Sequence, residues 1–162
     1  MKIKLLTFLL MISFCSSEVV DEGIFIESVD LNNLKTLDTN ENIDLSNKDF
    51  LIINYWASWC LECIEEHPYL IELSKTKGFE DSVFMLSFQD SRENALKFTN
   101  EYGVGNIQYV VDQNSKIAIY SGVFGVPETH IVINSEVVKK YIGPISINDF
   151  QEIINSYSHL TN

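Results

Sequence analysis

Apolar runs alternate with stretches of helical periodicity along the chain, and this alternation predicts an α/β fold. DFLIINYW, residues 49–56, and SVFMLSF, residues 82–88, are continuous apolar runs typical of strands buried on both faces. Residues 107–111 form a third, shorter strand-like run. Alternating strands and helices of this kind predict a central sheet covered on both sides.

Two further strands, 128–133 and 137–142, are expected to form an antiparallel hairpin around Asn134 and Ser135. Residues 18–48 are acidic and polar with short strand-like pieces, which we interpret as an N-terminal extension containing a small hairpin. The hairpins make the predicted sheet mixed, mostly parallel with an antiparallel edge.

The first predicted helix runs from Cys60 to about Lys77 and stops at Gly78, with a kink at Pro68. A helical turn is expected at residues 115–121.

The second helix is expected over residues 91–102, with Asp90 as its cap, Glu93 at the capping-box position and Gly103 at its end. Its predicted apolar face consists of Ala95, Phe98 and Tyr102.

The last helix is expected after Ser146, with Asp149 at the capping-box position. Its predicted buried face consists of Ile147, Phe150, Ile154 and Tyr157.

The N-terminal residues 1–17 have the layout of a secretory signal peptide, with two lysines, an apolar run and small residues before Glu18. The apolar run is short for a membrane span. We therefore expect an exported protein whose domain covers residues 18–162. Lipidation of Cys15, an uncleaved N-terminal anchor and a buried N-terminal element are the alternatives.

The net charge of the chain is −12, and removal of residues 1–17 would make it more negative because they carry only lysines. Such a charge argues against a nucleic-acid partner and favours a basic or neutral one, although solubility alone would also explain it. Cleavage would leave Cys60 and Cys63 as the only cysteines.

Cys60 follows a predicted buried strand and begins a predicted helix, so its thiolate would meet free backbone N–H groups and the positive end of the helix dipole. Both lower the pKa of a thiol. Cys63 lies one turn further on the same face, a spacing that allows a reversible disulfide. We expect Cys60 to attack a substrate disulfide and Cys63 to resolve the product, with Trp56 and Trp59 shielding one side.

Two structural roles compete with this redox hypothesis. A zinc site needs about four ligands, and His67, His130 and His159 are not suitably spaced to complete one. A purely structural disulfide across so short a loop would restrict the unfolded chain very little.

The motif Trp56-Ala57-Ser58-Trp59-Cys60…Cys63…Glu66…Pro68, together with GVPET at residues 125–129, resembles the exported TlpA/ResA/DsbE group of the thioredoxin superfamily. GVPET is most similar to the DsbE, or CcmG, proteins of cytochrome c maturation. The resemblance covers roughly residues 31–158 and implies a thioredoxin-like three-layer α/β sandwich.

The resemblance also implies a cis peptide bond before Pro127, facing the two cysteines. Proline has no N–H, and the turned backbone would expose the edge of Val126 to an extended substrate strand. We assign Trp59, Val126, Pro127 and Glu128 to substrate binding on this basis.

The implied activity is reduction of apocytochrome c cysteines before heme attachment. The protein would act as a monomer without any cofactor beyond its disulfide, with electrons supplied by a membrane thiol-reducing donor. A general exported reductase or oxidase is the alternative within enzymes. A copper-binding assembly protein using Cys60, Cys63 and His130 belongs to a different class.

Three residues near the motif need separate interpretation. Glu62 adds a negative charge close to the thiols, where relatives often carry proline in the dipeptide between the cysteines. Glu66 is expected to be partly buried near Cys63. Its carboxylate would then disfavour the Cys63 thiolate and exchange a proton with the Cys63 thiol. The alternative is a solvated position on the outer face of the helix. His130, where relatives usually have an aromatic residue, is expected to be a core histidine satisfied by one hydrogen bond.

Overall fold

The computed structural model describes residue 31 and residues 34–160, so the predicted signal peptide lies outside the described part of the chain. The strands are β1 Leu34–Thr36, β2 Asn42–Ile43, β3 Phe50–Trp56, β4 Val83–Ser87, β5 Gln108–Val111, β6 Glu128–Ile133 and β7 Glu136–Ile142. The helices are α1 Leu61–Lys75, α2 Arg92–Tyr102, α3 Lys116–Tyr120 and α4 Ile147–Tyr157, with short 3-10 turns at Gln113–Ser115 and Ser158–Leu160.

The strands form one mixed sheet in the order β2-β1-β5-β4-β3-β6-β7. Among the described strands, β5, β4 and β3 pair in parallel, and the strands on both sides of them are antiparallel. The mixed sheet is confirmed, but the expectation of a mostly parallel sheet with one antiparallel edge was wrong. The predicted N-terminal hairpin is present as β1 and β2, and it pairs with β5, which adds a second antiparallel edge.

Helices cover the sheet unequally. The steps from β3 through α1 to β4 and from β4 through α2 to β5 move in the same direction across the sheet. Right-handed crossovers therefore place both helices on the same face. We call this the α1 face; its core contains buried residues of α1, α2 and α4 together with both cysteines. The opposite face, which we call the α3 face, buries Ile117 and Ala118 of α3 together with Leu31 and Leu45 of the N-terminal extension.

Strand β3 is buried along its whole length, as its apolar run predicts. Its residues alternate between the two faces: Ile52 and Trp56 belong to the α1-face core, and Ile53 and Tyr55 to the α3-face core. The following loop, residues 57–60, therefore begins at the C-terminal end of a strand that is packed on both faces.

Several details of the helices differ from expectation: α1 ends at Lys75 and not near Lys77, and Tyr102 is 38% exposed. The N-cap of α2 is Ser91, whose Oγ accepts from the Asn94 N–H at 3.2 Å, and not Asp90. The capping box of Ser146 and Asp149 is confirmed in α4. Ile147 is nevertheless half exposed because it occupies the first helical position, and Ile153 is fully buried instead.

The turn between β6 and β7 is the one predicted from the sequence. Asn134 and Ser135 both have positive φ, 50° and 67°, which matches the two-residue turns that connect twisted strands. In the stretch the structure describes, no helix is both long enough and apolar enough to cross a bilayer.

Candidate active site

The two cysteines lie where β3 passes into α1. Cys60 is the N-cap of α1, and its own N–H donates to the Ala57 carbonyl at 3.1 Å. The loop therefore turns sharply and presents the first cysteine at the open end of the helix, where backbone N–H groups have no partner within the helix.

Cys60 and Cys63 form a disulfide with a Cα–Cα distance of 5.2 Å. The Cys63 N–H donates to Cys60 Sγ at 3.1 Å, the position in which it would stabilise a Cys60 thiolate after reduction. Cys60 is 6% exposed and Cys63 is fully buried. Cys63 is thus closed to an incoming disulfide, and the small exposed area of the pair belongs to Cys60.

The two tryptophans of the motif occupy different environments. Trp56 is fully buried in the same core cluster as both cysteines and packs on Phe98 and Tyr109. Trp59 is 61% exposed, and its indole N–H donates to the Gln89 carbonyl at 3.2 Å. Trp59 therefore forms part of the surface beside Cys60.

Glu66 lies one turn beyond Cys63 and is 1% exposed. Its Oε1 accepts from Asn54 Nδ2 at 2.7 Å, and its Oε2 accepts from the Ile145 N–H at 2.8 Å. Loss of hydration raises the pKa of Glu66 to about 7, although both hydrogen bonds favour the ionised form and oppose the rise. The expected burial is confirmed, and the solvated alternative was wrong. Proton exchange with Cys63 stays a prediction.

His67, next to Glu66, is also buried and hydrogen-bonds through Nε2 to the Tyr109 hydroxyl. Burial lowers its pKa to about 4, so the imidazole is neutral near pH 7.

Pro127 lies at the same end of the sheet as the cysteines. Residues 122–127, which we call the GVFGVP loop, lead from α3 into β6, and Glu128 pairs with Tyr55, one residue before the end of β3. The Val126–Pro127 peptide bond is cis, and the Pro127 carbonyl accepts from the Gly143 N–H at 3.0 Å. The loop tip carries Phe124, which is 97% exposed.

His130 and Glu128 face away from the cysteines. Through the pairing of β3 with β6 they lie opposite Ile53 and Tyr55, both members of the α3-face core. His130 is fully buried, and its Nε2 is 2.6 Å from Glu128 Oε1. The expectation of a core histidine with one hydrogen bond is confirmed.

This placement bears on the copper hypothesis. His130 lies on the α3 face, whereas the cysteines pack in the core of the α1 face, so the structure does not bring the three proposed ligands together. In the described ranges, no group of three or more His, Cys, Asp and Glu side chains is arranged to hold a metal ion. Glu128 is likewise 5% exposed, so its side chain does not face a substrate beside Cys60.

Sequence reasoning missed the residues that hold the cysteine loop. Asp90 Oδ2 accepts from the Ser58 N–H at 2.6 Å, and Oδ1 accepts from the Ser91 N–H at 2.8 Å. Neighbouring Gln89 has a left-handed φ of 45°, and its N–H donates to Ser115 Oγ at 2.8 Å. The adjacent capping residues Asp90 and Ser91 were the available signal, since only one of them can cap α2.

The fold and the disulfide at a helix N-terminus define a thioredoxin-like redox protein. The Redoxin family profile matches residues 27–154, and the chain belongs to that family.

Individual relatives are named for disulfide exchange. The chain is 37% identical over 94 residues to the thiol:disulfide interchange protein CycY of Rhizobium leguminosarum bv. viciae, covering 57% of this chain and 50% of CycY. It is 31% identical over 105 residues to the thiol:disulfide interchange protein DsbE of Vibrio cholerae, covering 64% and 55%. The chain thus spans about half the length of the curated relatives that it matches.

Among solved structures, MTB dsbF superposes with a TM-score of 0.68 at 19% identity, covering 78% of this chain and 96% of that one. This likeness establishes the thioredoxin-like fold.

Proposed function

We propose that this protein is an exported thiol–disulfide oxidoreductase that reduces the cysteines of apocytochrome c before heme attachment. The observation that carries the activity is the Cys60–Cys63 disulfide at the N-terminus of α1, in which Cys60 retains a small exposed area and Cys63 is fully buried. The similarity to CycY and DsbE supports the disulfide exchange.

The reaction begins with the reduced dithiol. The Cys60 thiolate attacks one sulfur of the substrate disulfide, forming a mixed disulfide and releasing the other substrate sulfur as a thiolate. Cys63, after losing its proton, attacks Cys60 Sγ and releases the second substrate thiolate. The substrate gains two electrons and two protons, and the Cys60–Cys63 disulfide is formed; a donor dithiol protein then reduces it again.

Substrate recognition is assigned to the surface around Cys60. Trp59 and Phe124 supply exposed aromatic area, and the backbone of the half-buried Val126 supplies the edge for strand pairing. No backbone hydrogen bond to the Val126 N–H is found within the described ranges. An extended substrate strand can pair there, with its cysteine beside Cys60.

The sequence supports an exported setting for this activity. A signal peptide at residues 1–17 would export the domain, and a membrane thiol-reducing protein would supply electrons in an oxidising compartment. The net charge of −12 suits a basic or neutral polypeptide and not a nucleic acid.

Trapping of mixed disulfides tests the assigned roles of the cysteines. Cys63→Ser should accumulate mixed disulfides through Cys60, because the resolving thiol is absent, and Cys60→Ser should accumulate almost none. Alkylation followed by mass spectrometry measures both. Equal trapping by the two variants would contradict the assignment.

The substrate is tested with the reduced wild-type protein. Oxidised apocytochrome c should be reduced faster than an unrelated oxidised protein of similar size and unfolded content. Equal rates would instead indicate the general exported reductase. Net oxidation of substrate dithiols by the disulfide form, with no reduction in the other direction, would reverse the proposed electron flow.

A further inference from the structure

The two ends of the GVFGVP loop are connected to each other by a polar network on the α3 face, on the side of the sheet away from the cysteines. Ser121 precedes the loop and Glu128 follows it. Both residues are buried, and each contacts Lys140 of β7. The network thus joins the two points where the loop leaves the core.

The end of the loop that leads into β6 is held through the Glu128 carboxylate. Its Oε1 is 2.6 Å from His130 Nε2 and 4.0 Å from Lys140 Nζ. A carboxylate only accepts, so His130 carries its proton on Nε2 and donates it to Glu128. His130 Nδ1 has no hydrogen-bond partner in the described part of the chain. The imidazole therefore makes a single directional contact, and Glu128 receives it.

The end that follows α3 is held through Ser121. Lys140 Nζ donates to the Ser121 carbonyl at 2.8 Å, and the Tyr55 hydroxyl donates to Ser121 Oγ at 3.1 Å. The next residue, Gly122, has a φ of +74°, and a Cβ there would lie 3.5 Å from Lys140 Nζ. The chain thus turns into the loop directly over the ammonium group.

We propose that Lys140 and His130 are positioning residues that fix the two ends of the GVFGVP loop and so determine how tightly a polypeptide disulfide is bound. The inference rests on the proposed function, since it concerns the substrate strand expected to pair with Val126. Neither residue takes part in the sulfur chemistry, because both lie on the face opposite the cysteines.

The physical reason is preorganisation. A loop held at both ends presents the Val126 backbone edge in one orientation, so less conformational entropy is lost when a strand pairs with it. A small dithiol such as dithiothreitol needs no strand pairing and reacts at Cys60 alone. Loosening the loop should therefore weaken polypeptide binding and leave the reaction with small thiols unchanged.

The variants Lys140→Met and His130→Phe test this. Lys140→Met retains the aliphatic length and removes the donor to Ser121, and His130→Phe retains a ring and removes the donor to Glu128. His130→Gln retains an N–H that can reach Glu128 and should restore binding. Lys139→Met is the matched control, since Lys139 is the adjacent lysine on the opposite face and pairs with Glu152 at 3.2 Å.

Steady-state reduction of a disulfide-bonded peptide is measured beside the rate with dithiothreitol and the reduction potential. We expect KM for the peptide to rise about tenfold in Lys140→Met and His130→Phe, the order expected for losing one charge-assisted hydrogen bond. The kcat and the dithiothreitol rate should stay within about twofold of wild type, and the reduction potential should not change. The same holds for Lys139→Met, whose KM should also stay within about twofold. Tyr55→Phe, which removes one hydroxyl, should raise KM less.

Hydrogen exchange gives a readout that does not depend on substrate. The amides of Gly122 and Val123, which donate to the Ile119 and Ala118 carbonyls, should exchange faster in Lys140→Met than in Lys139→Met, with α1 unchanged. Unchanged exchange and KM would overturn the inference, as would parallel losses with peptide and dithiothreitol. If wild type reduces no polypeptide disulfide, the proposed function fails, and the exchange comparison still decides whether Lys140 holds the loop.

Discussion

Replacement of Glu66 by glutamine should reveal a proton that the folded protein holds near neutral pH. Burial raises the pKa of Glu66 from 4.5 to about 7, so between these values the folded state binds a proton that the unfolded state has lost. The stabilisation by this group is complete below pH 4.5 and is lost as pH rises through 7. A shift of this size corresponds to about 3 kcal/mol, since one pKa unit is about 1.4 kcal/mol.

Glutamine resembles the protonated acid but cannot ionise. Its amide oxygen can still accept from Asn54, but its NH₂ group cannot accept from the Ile145 N–H, so one hydrogen bond is lost at every pH. That loss is a constant offset. The difference in unfolding free energy, Glu66→Gln minus wild type, should therefore increase by about 3 kcal/mol from pH 4.5 to 7 and then remain constant.

Urea unfolding of the oxidised proteins at pH steps from 4 to 8.5, followed by circular dichroism, measures this difference. Glu65→Gln removes an exposed carboxylate from the same helix and is the matched control. A difference that does not change with pH would refute the reasoning, because Glu66 would then have the same proton affinity folded and unfolded. Thiol titration by ultraviolet absorbance of the reduced variant shows separately whether Glu66 also raises a cysteine pKa.

Two further predictions concern the backbone. Asp90→Ala should lower the free energy of unfolding by about 1–3 kcal/mol and change the fluorescence of Trp59, because the Ser58 N–H loses its acceptor. Asp90→Asn keeps an acceptor oxygen, so it should recover most of the stability and of the fluorescence. Gly105→Ala should cost more stability than Gly143→Ala in thermal unfolding: both have positive φ, but only the Cβ at 105 would meet a side chain, Ser74 Oγ at 2.9 Å.

The parts of this fold that depend on local sequence were predictable. The strand–helix junction at Cys60 and the turn at Asn134 and Ser135 are encoded within a few residues of where they occur. The second antiparallel edge was not predictable, because it depends on Lys35 pairing with Val111, far away in the sequence. Strand partners of this kind follow from the packing of the whole sheet and not from local pattern.

In the candidate site, too, locally encoded features were predictable and those that depend on distant residues were not. The i, i+3 spacing placed Glu66 on the face of Cys63, but its burial depends on Asn54 and Ile145, 12 and 79 residues away. Asp90 was assigned as a cap because its type suits that position. Its carboxylate instead accepts from the Ser58 N–H, 32 residues away, and the neighbouring serine caps the helix.

Glu66 and His67 are adjacent, and burial shifts their proton affinities in opposite directions. The pKa of His67 falls from 6.5 to about 4, so its contribution to stability is complete above pH 6.5 and is lost as pH falls toward 4. From pH 4.5 to 6.5 the two contributions have slopes of about 1.4 kcal/mol per pH unit and opposite sign, and they cancel. In each single variant one contribution is removed, so the pH dependence of the other group becomes measurable. Relative to wild type, Glu66→Gln should become more stable as pH rises through this window, and His67→Phe should become less stable. A difference from wild type that does not change with pH, for either variant, would show that this buried group titrates in the folded protein as it does in the unfolded chain.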